Sequence, residues 1–239
     1  MTKALGQSEV PVSEVVAAGD TAGPEYRAAS TRIAASLREA ILAGHYAPGS
    51  WIRQADVAHR YGASRLPVRE ALRMLAADGL TEYHPHQGAR VPLLTAHEVD
   101  LVYRMRERLD PLALTESIPL LSEEDISQIR SLQEQIEALE DLETFLALDR
   151  KFHLATYGGC TMEPLMVIVE RLWNTTQPYR RMYVRSIPQD RRWVINAEHR
   201  LLLDAIERRD TVDAERVLGG HIRRTRIELG RDPDIFSGG

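Results

Sequence analysis

The sequence predicts a mainly α-helical chain of two domains, in which three helices and a two-stranded hairpin precede an all-α helical bundle. Apolar residues recur at helical spacing along most of the 239 residues. Short strand patterns bounded by turn residues occur only before Pro92. The boundaries are therefore expected as follows: a flexible leader over 1–26, an N-terminal domain over 27–92, a helical bundle over 96–230 and a tail over 231–239.

The N-terminal domain is predicted to contain three helices. The first covers 30–43, with Ser30 or Thr31 as its cap, and Gly44 ends it. The second covers 54–61, and the third runs from Ser64 to about Asp78 with Pro67 in its first turn, where a missing N–H does no harm. Two strands follow, and they are expected over 80–83 and 89–91, joined by a hairpin tip.

The bundle is predicted from six amphipathic stretches with no convincing strand among them. Ser122 should cap the second stretch, because three acidic residues follow it in the first turn. Pro178 should kink or split the fourth stretch, and the Gly219–Gly220 pair should allow two helices to approach closely. The stretches are 96–114, 122–139, 142–155, 162–184, 191–208 and 211–229.

Charge divides the chain in the same way as its secondary structure. The whole chain has a net charge of -5, but residues 27–92 contain nine arginines and five acidic residues, a balance of +4 that leaves -9 elsewhere. A small basic module beside an acidic one indicates that one part alone contacts nucleic acid. The single cysteine excludes an internal disulfide and suits a reducing cytoplasm, and no apolar run approaches the roughly 18 residues that span a membrane.

Three helices followed by a two-stranded hairpin are typical of a winged helix-turn-helix, whose third helix enters the DNA major groove. Ser64, Arg65 and Arg69 lie at the start of that helix, and the two arginines share one face. Arginine donates two parallel hydrogen bonds to guanine, and serine reaches a phosphate. At the hairpin tip, Gly88 permits a close approach and Gln87 precedes it. An isolated pair of arginines is usually only a solvated helix face, but the complete pattern favours DNA binding.

Four polar residues of the bundle are candidate metal ligands. Asp149 and His153 are four residues apart on one helix face, and His199 and His221 follow on two later helices among apolar positions. One carboxylate and three imidazoles suit zinc, nickel, manganese or iron. Each residue alone is more often a solvated or internally satisfied side chain, so the spacing leaves both interpretations open.

The segment SRLPVREALRML, followed by DGL and HQGARV, resembles the DNA-binding domain of the GntR family of bacterial regulators over residues 31–91. This resemblance implies that Arg65 and Arg69 contact bases or phosphates, and that Gln87, before the wing glycine, also contacts DNA. Two positions depart from the family pattern. Leu66 stands where threonine is usual, and Ala55 replaces a charged residue at the start of the second helix.

The segments VYRMRERLDPLAL, DRKFHLA and EHRLLLDAIERRDTVDAERVL resemble the FCD ligand-binding domain of the FadR branch of that family. The resemblance implies that a divalent metal, zinc first among the candidates, is held by Asp149, His153, His199 and His221. It also implies a small organic acid bound at the metal with help from Arg106. Asn174 is a further candidate for the effector pocket, although a solvated position explains it equally well. Asp110 stands where the family usually has glutamate.

The expected function is that of a metabolite-responsive transcription regulator, which binds palindromic double-stranded operator DNA as a homodimer in the cytoplasm. Repression is the usual mode that the resemblance implies. A metal-dependent hydrolase or isomerase with an attached DNA-binding module is the alternative, but we find no nucleophile motif and no general base beside the ligands. A constitutive architectural DNA binder is a further alternative. It is disfavoured because polar groups buried in an acidic bundle are costly without a purpose.

Overall fold

The computed structural model describes residues 24–139, 141–188 and 191–236. The predicted leader lies almost wholly outside these residues. Two short 3-10 helices, Ile118–Leu120 and Pro233–Phe236, accompany the regular elements. The regular elements are, in chain order, α1 (Pro24–Leu42), β1 (Trp51–Arg53), α2 (Gln54–Tyr61), α3 (Arg65–Ala77), β2 (Glu82–His84), β3 (Gly88–Arg90), α4 (Ala96–Ser117), α5 (Glu123–Glu137), α6 (Leu142–Thr156), α7 (Glu163–Ser186), α8 (Trp193–Glu207) and α9 (Thr211–Arg231).

The N-terminal domain packs α1, α2 and α3 on a small antiparallel sheet of strand order β1-β3-β2. Ala89 at the centre of the sheet faces Ile52 on one side and Tyr83 on the other. The sheet has one strand more than the predicted hairpin, since β1 also pairs with β3. Helix α1 begins at Pro24 rather than at Ser30, whose hydroxyl donates to the Tyr26 carbonyl at 2.8 Å within the helix instead of capping it.

The second domain is the predicted all-α bundle, with its own core of buried apolar side chains. Helix α4 packs along α9, while α5 packs against α6 and α8. Ser122 caps α5 as predicted, in a reciprocal pair of hydrogen bonds with Asp125. Helix α7 runs through Pro178 without being split. None of the helices in the described ranges is long and apolar enough to cross a membrane.

The last described residues lie against the bundle. Ile235 is buried, and the ring of Phe236 stacks on the ring of Tyr179 with centroids 5.8 Å apart. The last residues that the structure describes therefore contribute to the core of the second domain.

Candidate functional site

The N-terminal residues of α3 lie exposed on one side of the first domain. Ser64 occupies the N-cap position, and within the described residues its hydroxyl makes no capping hydrogen bond, so it can accept or donate elsewhere. Arg65 and Arg69 are exposed, while Val68, between them, is buried in the core. The helix thus presents its arginines outward because its apolar face is fixed against α1 and the sheet.

The hairpin tip between β2 and β3 lies beside the start of α3. Arg65 and Gln87 line one surface groove, and Arg69 lines the adjoining groove. Gly88 has φ +139°, and a Cβ there would lie 2.2 Å from the Ile52 carbonyl oxygen. Only glycine therefore fits where β3 passes β1. The structure brings three of the five predicted DNA-binding residues, Arg65, Arg69 and Gln87, to these adjoining grooves. Ser64 lines a separate groove with residues of α1 and α2, and Gly88 supports the hairpin.

Two residues that sequence reasoning did not select share this surface. Arg73 continues the row of Arg65 and Arg69, and its guanidinium lies 5.5 Å from the centre of the Tyr83 ring. Gln54, at the start of α2, lines both grooves. The regular spacing of four residues between the arginines was the signal that could have identified Arg73.

The three candidate histidines converge in the interior of the second domain. His153 on α6, His199 on α8 and His221 on α9 are buried, and one ligand atom from each lies within 4.8 Å of the others. Both nitrogens of His153 and the Nε2 atoms of His199 and His221 have no hydrogen-bond partner among the described residues. Buried polar atoms of this kind are costly unless something satisfies them.

Neighbouring side chains fix the orientation of two of the rings. Nδ1–H of His199 donates to Oε1 of Gln133 at 2.9 Å, and Nδ1–H of His221 donates to Glu198 at 2.9 Å. Each ring consequently directs the lone pair of its Nε2 toward the centre of the cluster. Metal-binding histidines commonly have such an outer hydrogen bond, which sets the tautomer and raises the basicity of the ligand atom.

Burial keeps two of these rings neutral. Burial, followed by the proximity of His199 and His221, lowers the pKa of His153 well below its usual value. Burial, followed by His221 and Arg180, does the same to the pKa of His199. A neutral imidazole is the form that binds a metal ion, so these shifts favour the ligand-competent state.

The fourth candidate ligand, Asp149, lies beside the histidines and also holds an arginine. Its Oδ1 is 3.7 Å from Nε2 of His199, and its Oδ2 forms a buried ion pair with Arg180. Sequence reasoning identified Asp149 but did not pair it with Arg180, because the two residues lie on different helices. Oδ1 is the carboxylate atom that remains available to a metal ion.

Arg106 forms a second buried cation in the same region. Its Nε and NH2 groups donate to Oδ2 of Asp110 at 3.1 and 2.9 Å, and its NH1 group donates to Thr176 at 3.1 Å. The guanidinium lies 3.9 Å from the centre of the Trp173 ring. The shorter Asp110 therefore still reaches Arg106 and helps to hold its guanidinium over the ring of Trp173.

Asn174, the second predicted effector residue, lies in different surroundings from Arg106. Its Nδ2 donates to the Asp78 carbonyl at 2.7 Å, and its Oδ1 accepts from Arg150 at 2.6 Å. Burial and the nearby positive charge of Arg106 lower the pKa of Arg150 to about 10. The amide of Asn174 thus faces the first domain, while its neighbours Trp173 and Thr176 face the histidine side.

Known proteins resemble both domains. Residues 29–91 match the family described as bacterial regulatory proteins, gntR family, and residues 101–224, more than half of the chain, match the FCD domain. The HTH-type transcriptional regulator McbR of Escherichia coli (strain K12) is 28% identical over 73% of this chain and 80% of its own length. The uncharacterized HTH-type transcriptional regulator YdhC of Bacillus subtilis (strain 168) is 34% identical over 49% of this chain, and the matched part spans 54% of YdhC.

A solved structure confirms the fold. The structure titled E. coli McbR/YncC matches with a TM-score of 0.75 at 24% sequence identity, covering 85% of this chain and 97% of that chain. The family matches and these relatives are DNA-binding transcription regulators rather than enzymes. The chain belongs to the GntR family of bacterial transcription regulators and carries an FCD domain after its DNA-binding domain.

Proposed function

We propose that the protein is a metabolite-responsive repressor in the bacterial cytoplasm, which binds a palindromic operator as a homodimer and is released by a small organic acid. The proposal depends above all on one observation: unsatisfied nitrogens of three buried imidazoles converge beside Asp149 and two buried guanidinium groups. A constitutive DNA-binding protein has no need of such a cluster, because buried polar groups without partners destabilise the fold.

The proposed metal ligands are Asp149, His153, His199 and His221, with zinc as the first candidate and nickel, manganese or iron as alternatives. The donor set of three imidazole nitrogens and one carboxylate oxygen suits these metals better than calcium or magnesium, which prefer oxygen ligands. A divalent metal held there would supply open coordination positions that a carboxylate can fill.

The proposed effector is a small carboxylate whose second contact is a guanidinium group. Arg106 is the first candidate, because Asp110, Thr176 and Trp173 hold its guanidinium group rigidly beside the cluster. Asp110 occupies the Nε–NH2 edge of Arg106, so a carboxylate would bind the remaining N–H groups of its NH1 and NH2 atoms, whose fixed position reduces the loss of entropy. Asn174 supports an effector role less well, since its amide is already bonded to Arg150 and to the Asp78 carbonyl.

The proposed contacts with operator DNA follow from the exposed surface of the first domain. Arg65 and Arg69 would contact base edges in the major groove, and Ser64 would bind a phosphate. Gln87 would contact the backbone or the minor groove beside the hairpin, whose close turn requires Gly88.

A homodimer is supported by an apolar face on α4. Leu101, Met105 and Leu112 are all more than 40% exposed, and their spacing places them on one side of the helix. A second copy of this face would cover them and place two recognition helices on a palindrome. Sedimentation of wild type and of Met105→Glu tests this: a wild-type dimer and a monomeric variant are expected, and a monomeric wild type would refute it.

Elemental analysis by mass spectrometry tests the metal site. Wild-type protein, purified without a metal-affinity tag, is compared with His153→Ala and His199→Ala, and with His97→Ala, which removes an exposed histidine of α4. Near-stoichiometric metal is expected in wild type and in His97→Ala, with loss in the other two variants. Wild-type protein that stays free of metal after reconstitution with zinc, nickel, manganese and iron would refute the site and leave DNA binding untouched.

Thermal unfolding with a panel of organic acids, before and after chelation, tests the effector. Acids that bind are expected to raise the melting temperature only in the metal-loaded protein, because binding to the folded state stabilises it. Stabilisation that persists unchanged after complete metal removal would show that the acid does not bind at a metal.

A further inference from the structure

Helix α7 of the FCD domain holds the carboxyl ends of two helices in the DNA-binding domain. Nδ2 of Asn174 donates to the Asp78 carbonyl at 2.7 Å, where α3 ends, and NH2 of Arg181 donates to the Leu42 carbonyl at 2.7 Å, at the last residue of α1. The final carbonyls of a helix have no partner within the helix and carry partial negative charge. Donors from α7 therefore satisfy groups that the DNA-binding domain cannot satisfy by itself.

Residues of helix α6 contact both of these donor side chains. NH2 of Arg150 donates to Oδ1 of Asn174 at 2.6 Å, and Glu143 forms an ion pair with Arg181. The two α6 residues are seven apart, and so are the two α7 residues, so each pair lies on one face of its helix two turns apart. We call Arg150–Asn174–Asp78 and Glu143–Arg181–Leu42 the two clamps.

Both clamps start from the helix that carries half of the candidate metal ligands. Arg150 directly follows Asp149, and His153 lies one turn further along α6. Trp173, which precedes Asn174, contacts the same region, with its ring 5.2 Å from the ring of His153. Asn174 is 8% exposed and Arg181 is 7% exposed, so solvent competes little for their hydrogen bonds.

We propose that Asn174 and Arg181 are positioning residues, which transmit the state of the histidine cluster on α6 to the recognition helix α3. This rests on the proposed function, because it requires a ligand that binds at that cluster. A ligand that displaces α6 shifts Arg150 and Glu143 together, and through the clamps it moves the ends of α3 and α1 as one unit. The angle at which α3 meets DNA then depends on occupancy, which is a coupling between two sites.

The test separates the two halves of the first clamp. Asn174→Asp keeps an acceptor for Arg150 but loses the N–H donor to the Asp78 carbonyl, and Arg150→Met removes the α6 half. Arg130→Met is the matched control, since it removes an exposed arginine–glutamate contact between α5 and α8, away from the DNA-binding domain. The probes are Zn²⁺ alone and a DNA duplex selected by the wild-type protein from a random library.

Zinc affinity and operator affinity, the latter with and without zinc, are measured for all four proteins. We expect zinc to change operator affinity of wild type and of Arg130→Met by about tenfold or more, within the usual range for coupled sites. In Asn174→Asp and Arg150→Met, zinc affinity should stay within about threefold of wild type while the zinc effect on operator affinity disappears. An undiminished zinc effect in both variants, or no zinc effect in zinc-loaded wild type, would overturn the proposal.

A metal-independent measurement keeps failure of the proposed metal site distinct from failure of the clamps. If wild-type protein binds no zinc, zinc is refuted as the metal of this site and amide hydrogen exchange decides about the clamps. The Gly79 and Leu80 amides form the hydrogen bonds that close the end of α3. Faster exchange of these two amides in Asn174→Asp than in wild type or in Arg130→Met supports the clamps. Equal exchange rates of these amides in all three proteins would overturn the clamps.

Discussion

Asp149→Ala should strongly destabilise the metal-free protein, quite apart from any loss of metal. The side chain of Asp149 is 0% exposed and that of its partner Arg180 is 4% exposed, so the substitution leaves a buried cation without its counter-ion. Removing one member of a buried ion pair costs about 3–5 kcal/mol. The nearby Asp110 carboxylate already has Arg106 as its own buried counter-ion.

This loss is a large part of the free energy that holds a domain folded, which is typically about 5–15 kcal/mol. The double variant Asp149→Leu/Arg180→Met replaces both charges by apolar groups of similar size. It should lie within about 2 kcal/mol of wild type or exceed it, because the desolvation cost of both ions disappears. A double-mutant cycle with Asp149→Leu and Arg180→Met should therefore show strong coupling between the two positions.

The assay is urea unfolding of EDTA-treated protein, followed by far-UV circular dichroism, with the transition of the FCD domain analysed separately from that of the DNA-binding domain. An Asp149→Ala variant within about 1 kcal/mol of wild type would refute a desolvated ion pair at this position. The ion pair would also be refuted if the losses of unfolding free energy in the two single variants simply added up to the loss in the double variant.

Three further predictions concern the DNA-binding domain. Arg65→Ala should weaken operator binding by about 1–3 kcal/mol and relax the sequence preference at one base pair, as measured by fluorescence anisotropy with operator variants. Unaltered specific binding would disprove the assignment of α3 as the recognition helix. Leu66, 49% exposed beside Arg65, should contact a thymine methyl group. Deoxyuridine at that thymine should cost wild type about 0.8 kcal/mol and Leu66→Ser nothing, whereas equal losses would argue against the contact. Gly88→Ala should abolish operator binding while leaving metal content unchanged, because its Cβ would lie 2.2 Å from the Ile52 carbonyl oxygen, and normal binding would contradict that clash.

Helical periodicity was sufficient to predict most helices and the inward position of the three histidines. His153, His199 and His221 stand among apolar residues at helical spacing, so burying the apolar face of each helix also buries its imidazole. The Ser122 cap was equally predictable, because a capping box needs only residues three positions apart. These features depend on local sequence, and local sequence is what a periodic pattern describes.

Features that depend on contacts between distant segments were not predictable in this way. Strand β1 has only three residues, too few for an alternating pattern, and it forms because β3 offers a free edge. The expected close approach at Gly219 and Gly220 is not required: a Cβ on Gly219 would lie 3.9 Å from Pro111, and one on Gly220 would meet nothing within 4 Å among the residues that the structure places. One partner of Asn174, the Asp78 carbonyl, lies in the other domain, where no periodicity could identify it.

The hydrogen bonds from α7 to the first domain end on the main-chain carbonyls of Asp78, Gly79 and Leu42 rather than on side chains. Every amino acid carries that carbonyl, so substitutions along the exposed face of α3 leave the attachment unchanged. Operator preference can consequently diverge during evolution while the contact between the two domains is retained. The same feature predicts that the two domains can be exchanged in engineered chimaeras, provided that α1 and α3 keep their lengths and that glycine stays at positions 44 and 79, where a Cβ would lie 2.7 Å from Arg181 and 2.6 Å from Arg171.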